Sequence, residues 1–172
     1  RYDEAIAVWE QHLKARPGSH LVRLSLAELL NQQGQYARAR QVAASSSPTD
    51  ALLVQWLLAS RGLKDGETQR LADQFDSRMR NQALRRESLI ERPTLVYLIR
   101  YGADPAEGLK LAAENWTTQN EPQDAVLLVE AALRLNQPRL AAPVLDWMAR
   151  TGYTDAVLQP LAQQLQARLG KA

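Results

Sequence analysis

The chain has 172 residues, 45% of them hydrophobic and 6% aromatic, and 21 basic against 19 acidic side chains give it a formal net charge of +2. That length allows a sizeable buried core, whereas the near-balanced charge does not favour a nucleic-acid surface, which needs a clustered basic excess. The lack of cysteine excludes disulfides and thiolate metal sites, and no stretch approaches the ~18 consecutive apolar residues of a transmembrane helix.

The first third of the chain predicts three amphipathic helices. Apolar residues follow helical spacing over residues 2–15, and a Pro-Gly pair then ends that helix. Ser19 is the expected N-cap of the second helix, which ends near Gly34. The third helix begins at Tyr36 and stops at the Ser-Ser-Ser-Pro run of residues 45–48.

The remaining sequence predicts further helices separated by turns that contain Gly, Asn or Pro. Their expected ranges are 51–63, 67–86, 93–101, 106–118, 122–133, 140–150 and 155–169. Pro143 and Pro160 are expected in first turns or at kinks. Since no segment has the pattern of a strand, the chain is predicted to be all-α, with about ten antiparallel helices.

A short motif occurs twice in the first third of the chain. Tyr2-Asp3-Glu4-Ala5 recurs as Tyr36-Ala37-Arg38-Ala39, at an offset of 34 residues. With Trp9, Pro17 and Gly34, this spacing resembles the tetratricopeptide repeat family, whose unit is a helix–turn–helix of 34 residues. The resemblance implies an α–α superhelix, that is, a solenoid of stacked helix pairs.

The repeat pattern weakens along the chain. We expect a single solenoid domain over residues 1–172, with regular repeats at 1–47 and degenerate repeats at 48–172. Gly108 and Ala142 keep the small residue at which the helices of a unit cross, but no Tyr precedes them. Because the sequence enters at the second helix of a repeat, we interpret it as a fragment of a longer chain.

The second half has a resemblance of its own. The segment from Glu114-Asn115-Trp116 to Glu130-Ala131-Ala132-Leu133 is similar to part of the uncharacterised, exported tetratricopeptide-repeat proteins of bacteria. This resemblance implies a periplasmic or envelope setting and no activity. A cytoplasmic location stays open.

The inventory of reactive side chains does not favour an enzyme. The histidines His12 and His20 lie on different helices or at a helix edge, without a carboxylate at zinc-motif spacing. The serines at 45–47 have no base within local reach, and Ser before Pro is ordinary helix punctuation. No glycines have the spacing of a phosphate loop. We therefore expect no catalysis, no metal and no cofactor.

One basic stretch is the best nucleic-acid candidate. Its cations, however, alternate with carboxylates at helical spacing, which predicts a solvated, ion-paired helix face and no nucleic-acid partner. The cations are Arg78, Arg80, Arg85, Arg86 and Arg92, and the carboxylates are Asp73, Asp76, Glu87 and Glu91.

The candidate binding residues come from the family resemblance, which implies that the first helix of each unit lines an inner groove. Three cations and an amide fall late on successive first helices, and a cation and a tyrosine fall about one turn earlier. These residues are Asn31, Lys64, Arg100 and Arg134, then Arg61 and Tyr97. Such a ladder would bind an acidic or C-terminal peptide carboxylate. The alternative is that these cations cap helix C-termini, where the helix dipole favours them.

The sequence thus predicts a non-catalytic protein–protein interaction module that binds a peptide or protein segment of unknown identity in a concave groove. The alternative is a structural scaffold, or a self-associating spacer, in a bacterial envelope complex. Self-association is expected through the N-terminal end, because the end of a repeat stack has an uncovered face.

Overall fold

The computed structural model describes residues 2–84 and 91–170, and this part of the chain is entirely helical apart from turns. It forms ten α-helices, a π-helix that continues α6, and a 3-10 turn that leads into α9. The bounds are α1 Tyr2–Ala15, α2 His20–Gln32, α3 Tyr36–Ala43, α4 Asp50–Leu63, α5 Thr68–Leu84, α6 Arg92–Val96, π-helix Tyr97–Tyr101, α7 Pro105–Trp116, α8 Pro122–Arg134, 3-10 turn Pro138–Ala141, α9 Ala142–Thr151 and α10 Leu158–Leu169. The all-α prediction is confirmed.

Side-chain caps fix some of these boundaries. The Thr49 hydroxyl accepts a hydrogen bond from the Leu52 amide at 3.3 Å, and the Asp104 carboxylate accepts one from the Glu107 amide at 3.0 Å. Both bonds satisfy an amide in the first turn that has no partner within its helix. Ser19 occupies the expected N-cap of α2, but its side chain makes no capping hydrogen bond. The predicted N-cap position is therefore confirmed, although the hydroxyl does not bind a first-turn amide.

Two expected ranges need comment. The helix expected over 67–86 is α5, Thr68–Leu84, and its last expected residues lie outside the described part. The helix expected over 93–101 divides into α6 and the π-helix, which the sequence pattern did not predict. Pro143 is in the first turn of α9 and Pro160 in the first turn of α10, as predicted.

The chain divides into two compact units, residues 1–88 and 89–172, and each is described by itself. In the first unit, Leu26 and Leu30 of α2 are fully buried and pack in one cluster with Ile6, Ala39 and Ala59. A second cluster joins α2, α3 and the first half of α4 through Ala27, Ala43 and Leu52. The single solenoid expected over the whole chain stays a prediction.

The direction of the helices in the first unit follows from two contacts. Tyr36, at the start of α3, lies against Gly62, near the end of α4, so closely that a Cβ there would be 2.5 Å from the ring. Ala43, at the end of α3, packs with Leu52, near the start of α4. These two helices are therefore antiparallel, as short connections favour.

The second unit is built around α8, which is buried over most of its length. Trp116 of α7 and Trp147 of α9 are also buried and meet edge to face, with ring centroids 5.5 Å apart. Gly108 allows α7 to approach the preceding helix, because a Cβ there would be 3.0 Å from the Leu98 Cβ and 2.7 Å from the Ile99 Cγ1. The expected small position at Gly108 therefore has a steric cause.

Candidate functional site

The candidate surface of the first unit lies where α2 and α4 run side by side. The Asn31 side-chain amide donates to the Gln55 carbonyl oxygen at 2.9 Å and to the Gln55 Oε1 at 2.9 Å. Gln55 is only 2% exposed, so this contact is held within the helix interface. Because Ala27 and Leu52 share one cluster and Asn31 meets Gln55, α2 and α4 run in the same direction, with the end of α2 beside the middle of α4.

Two predicted cations follow at the end of α4. Arg61 is in its last turn, about 9 Å along the helix axis from Gln55 at 1.5 Å per residue. Lys64 is the C-cap residue, with a left-handed φ of 55°. Both residues are exposed, and the Lys64 ammonium contacts no acceptor in the described part of the chain. Arg61 and Lys64 therefore lie at the C-terminal end of α4, beyond the point at which Asn31 meets Gln55.

Tyr97, predicted as a binding residue, has a different environment in the second unit. It is the first residue of the π-helix and only 3% exposed. Its ring stacks on Tyr101 with centroids 5.2 Å apart and an interplanar angle of 10°. Its ring is thus part of the packed interior of this unit.

Arg100 and Arg134 both connect the π-helix with α8. The Arg100 guanidinium donates to both carboxylate oxygens of Glu130, at 2.8 and 3.1 Å, a paired geometry that is stronger than a single bond. The Arg134 Nη1 donates to the Ile99 carbonyl oxygen at 2.7 Å. This second contact places a cation at carbonyls near a helix C-terminus, which is the alternative that the sequence left open.

The six predicted residues thus form two groups of three, one in each unit. In the first unit Asn31 meets the middle of α4, and the two cations lie at the C-terminal end of that helix. In the second unit Arg100 and Arg134 connect the π-helix with α8, and Tyr97 stacks within the π-helix. Whether they form one continuous ladder stays a prediction.

The basic stretch is largely paired where the structure describes it. The Arg78 Nη1 lies 2.6 Å from Asp50 Oδ1. Arg92 joins the starts of two helices, with its Nε 3.0 Å from Asp124 Oδ1 and its Nη2 2.5 Å from Glu121 Oε2. Burial lowers the pKa of Arg92, but its hydrogen bonds to these carboxylates and their charges raise that pKa above its ordinary value. Arg85 and Arg86 lie outside the described residues.

Sequence reasoning missed the polar surroundings of Trp56. Arg40 of α3 and Arg70 of α5 flank this half-buried indole, together with Glu67 from the segment before α5. The only sequence signal was a tryptophan on a first helix, because its neighbours come from three separate elements.

The described residues contain no group of three or more His, Asp or Glu side chains that could hold a metal ion. None of the described helices combines the length and the apolar character needed to span a bilayer.

Comparison with known proteins adds one positive finding. A family model described as tetratricopeptide repeat matches residues 1–59, which correspond to α1–α3 and most of α4. Neither the curated proteins nor the solved structures include a match to this chain. Residues 1–59 are therefore similar to tetratricopeptide repeats, which in general bind other proteins.

Proposed function

We propose that this protein is a non-catalytic interaction module that binds a partner's peptide segment at the C-terminal ends of α2 and α4. The observation that carries the proposal is the pair of exposed cations, Arg61 and Lys64, at the C-terminal end of α4. Asn31 is fixed by its hydrogen bonds to Gln55, whereas the two cations are exposed. Exposed cations suit a carboxylate, which accepts charge-assisted hydrogen bonds.

The ligand that fits best is a free C-terminal carboxylate preceded by acidic residues. The donors for this carboxylate are the Arg61 guanidinium and the Lys64 ammonium, because the side-chain N–H groups of Asn31 already donate to Gln55. The second unit contributes to the proposal only as a candidate, since Tyr97, Arg100 and Arg134 already have contacts within the chain.

The test uses the full 172-residue chain and two synthetic probes, an acidic hexapeptide with a free C-terminus and the same peptide with a C-terminal amide. We expect the free acid to bind more tightly in isothermal titration calorimetry. The double variant Arg61→Glu/Lys64→Glu should lose about tenfold or more in affinity, because one charge-assisted bond contributes about 1.5–3 kcal/mol.

The matched control is Arg139→Glu, an exposed cation of the second unit. It should leave the affinity unchanged. Equal binding of the two peptides, or equal binding by the wild type and the double variant, would refute the proposal.

A second candidate function, self-association, is favoured by a separate observation. Of the five large hydrophobic residues that are exposed in the described part, three lie in α1 and α2: Tyr2 at 42%, Val8 at 63% and Leu21 at 75%. The first turn of α1 is acidic and its last turn is basic. If α1 packed antiparallel against α1 of a second copy, the acidic first turn of each helix would lie beside the basic last turn of the other. Val8 would lie between these charged turns.

A further inference from the structure

The turn between α4 and α5 contains the one Asp-Gly pair of the sequence, Asp65-Gly66. In such a pair the backbone nitrogen of the glycine can attack the Cγ of the aspartate, because no side chain shields that nitrogen. A Cβ at Gly66 would have no neighbour within 4 Å, so the surroundings do not shield it either. This link is therefore a candidate for a spontaneous change of the main chain.

The chemistry needs only a proton and water. The Gly66 nitrogen gives up its proton and bonds to the Asp65 Cγ, and one carboxylate oxygen leaves as water with that proton and one from solvent. The product is a cyclic imide, a succinimide. Water then adds to one of the two ring carbonyls and reopens the ring, either to aspartate or to isoaspartate. No group is oxidised or reduced in either step.

Both oxygens of the Asp65 carboxylate are held in the structure. Oδ1 accepts a hydrogen bond from the Glu67 amide at 3.0 Å, and Oδ2 accepts one from the Arg40 Nη1 at 3.0 Å. The Asp65 side chain is only 20% exposed. Because one of these two oxygens must leave as water, formation of the imide breaks at least one of the two contacts.

The main chain of Asp65 is held as well. Its amide donates to the Ser60 carbonyl oxygen at 3.2 Å, and its own carbonyl oxygen accepts from the Thr68 hydroxyl at 3.2 Å. In the imide the Asp65 carbonyl carbon and Cγ are bonded to the same nitrogen. Ring closure therefore rotates the main chain and the side chain of Asp65 together, against these hydrogen bonds.

We propose that Asp65-Gly66 is an isomerisation site and that Arg40 protects it by holding the Asp65 carboxylate. When this ion pair is broken, the link reacts through the succinimide to isoaspartate. Isoaspartate adds one methylene group to the main chain between Lys64 and Gly66, so the change alters the turn that directly follows α4. This site is independent of the peptide binding proposed above, because its reaction involves no ligand.

The test is incubation of the full chain at neutral pH and body temperature, with isoaspartate at position 65 measured by peptide mapping and mass spectrometry. We expect slow conversion in the wild type. Arg40→Gln should convert about two- to fivefold faster, as loss of an exposed ion pair predicts. The wild type unfolded in guanidinium chloride should convert faster than both folded proteins, because it has neither the ion pair nor the turn.

The matched control is Arg38→Gln, on the same helix as Arg40 but paired with Glu10. It should convert at the wild-type rate. Gly66→Ala should slow conversion of the unfolded chain, because a side chain then shields the nitrogen.

A second measurement needs no variant. Added salt screens an exposed ion pair, so it should speed conversion of the folded wild type. Circular dichroism shows whether Arg40→Gln is folded. Equal rates for the folded and unfolded wild type, a wild-type rate that salt does not change, or equal rates for the wild type and folded Arg40→Gln would overturn the proposal.

Discussion

At the scale of single residues, Asp155 connects a loop to the start of α10. Its Oδ1 accepts hydrogen bonds from the Val157 amide at 2.8 Å and the Leu158 amide at 2.6 Å, and its Oδ2 accepts one from the Tyr153 hydroxyl at 2.7 Å. Burial raises the pKa of Asp155, but these three hydrogen bonds together lower it below its ordinary value. The hydrogen bond to Asp155 is the largest cause that raises the pKa of Tyr153, and burial is the second.

This geometry predicts a pH-dependent contribution to stability. Because the folded-state pKa of Asp155 is lowered, the contribution is complete above the unfolded-state pKa of about 3.9 and is lost as pH falls through the folded-state pKa. Asp155→Ala should cost about 1–2 kcal/mol at pH 7, as loss of a cap does. Urea unfolding of the wild type and of Asp155→Ala should show that the difference between their free energies of unfolding decreases below about pH 4. A constant difference would contradict the role of the ionised carboxylate.

Single residues also mark the limit of sequence reasoning about the site. Helical spacing was enough to place Asn31 and Arg61 late on their helices. The partners of other residues could not be read in the same way, because Glu130 is 30 positions from Arg100 and Ile99 is 35 positions from Arg134. Whether a side chain is exposed depends on the residue with which it packs. Where that residue is distant in sequence, local patterns do not identify it.

At the scale of elements, the close approach of α7 to the preceding helix depends on Gly108. A Cβ at this position would meet the Leu98 Cβ at 3.0 Å, and that atom is fixed to the backbone of its own helix. The Ile99 side chain, at 2.7 Å, is the more adaptable neighbour. Alanine is a better helix former than glycine. It does not fit at this position, however, unless the two helices move apart.

Gly108→Ala should lower the free energy of unfolding by about 1 kcal/mol. Overpacking costs about 1–3 kcal/mol, and the higher helix propensity of Ala returns about 1 kcal/mol. Gly170→Ala is the control in the same unit, because its Cβ would be at an ordinary 3.5 Å from the Gln166 carbonyl oxygen. Urea unfolding measures both variants. If the two variants had equal free energies of unfolding, the helices would move apart at Gly108 without loss of stability.

The π-helix is the element that sequence patterns missed. Residues 95–101 form one apolar run, which predicts a regular helix. The structure instead has a π-helix at Tyr97–Tyr101, followed by Gly102 with a φ of 87°. Arg134, from α8, donates to the Ile99 carbonyl within it. Tertiary contacts of this kind override local propensity, which is too weak to specify the hydrogen-bond register.

At the scale of the whole molecule, the exposed apolar residues of α1 and α2 bear on the oligomeric state. Val8 and Leu21 are more exposed than any other large hydrophobic residue in the described part. A contiguous apolar patch marks interaction sites or association between copies, and Val8 lies at the centre of the α1 pairing proposed above.

If two copies pair through α1, Val8→Glu should convert the protein to a monomer at high concentration, because it places a charge at the centre of the interface. Light scattering coupled to size-exclusion chromatography measures the mass. Leu140→Glu is the control, since Leu140 is an exposed apolar residue of the second unit, at 43%. A wild-type mass equal to that of one chain at every concentration would exclude this pairing.

The sequence by itself determined the helical class, most helix boundaries and the similarity of residues 1–59 to tetratricopeptide repeats, because these depend on periodicity, turn residues and spacing within one or two helices. Only the tertiary structure decided that the chain forms two compact units, that Tyr97 is buried and that Arg100 and Arg134 have partners within the chain. It also placed Arg40 and Glu67 beside Trp56 in the lining of one pocket, and the Arg70 guanidinium 5.3 Å from the centroid of the Trp56 ring. Such arrangements depend on packing between distant segments, whose free energy is not carried by any local pattern.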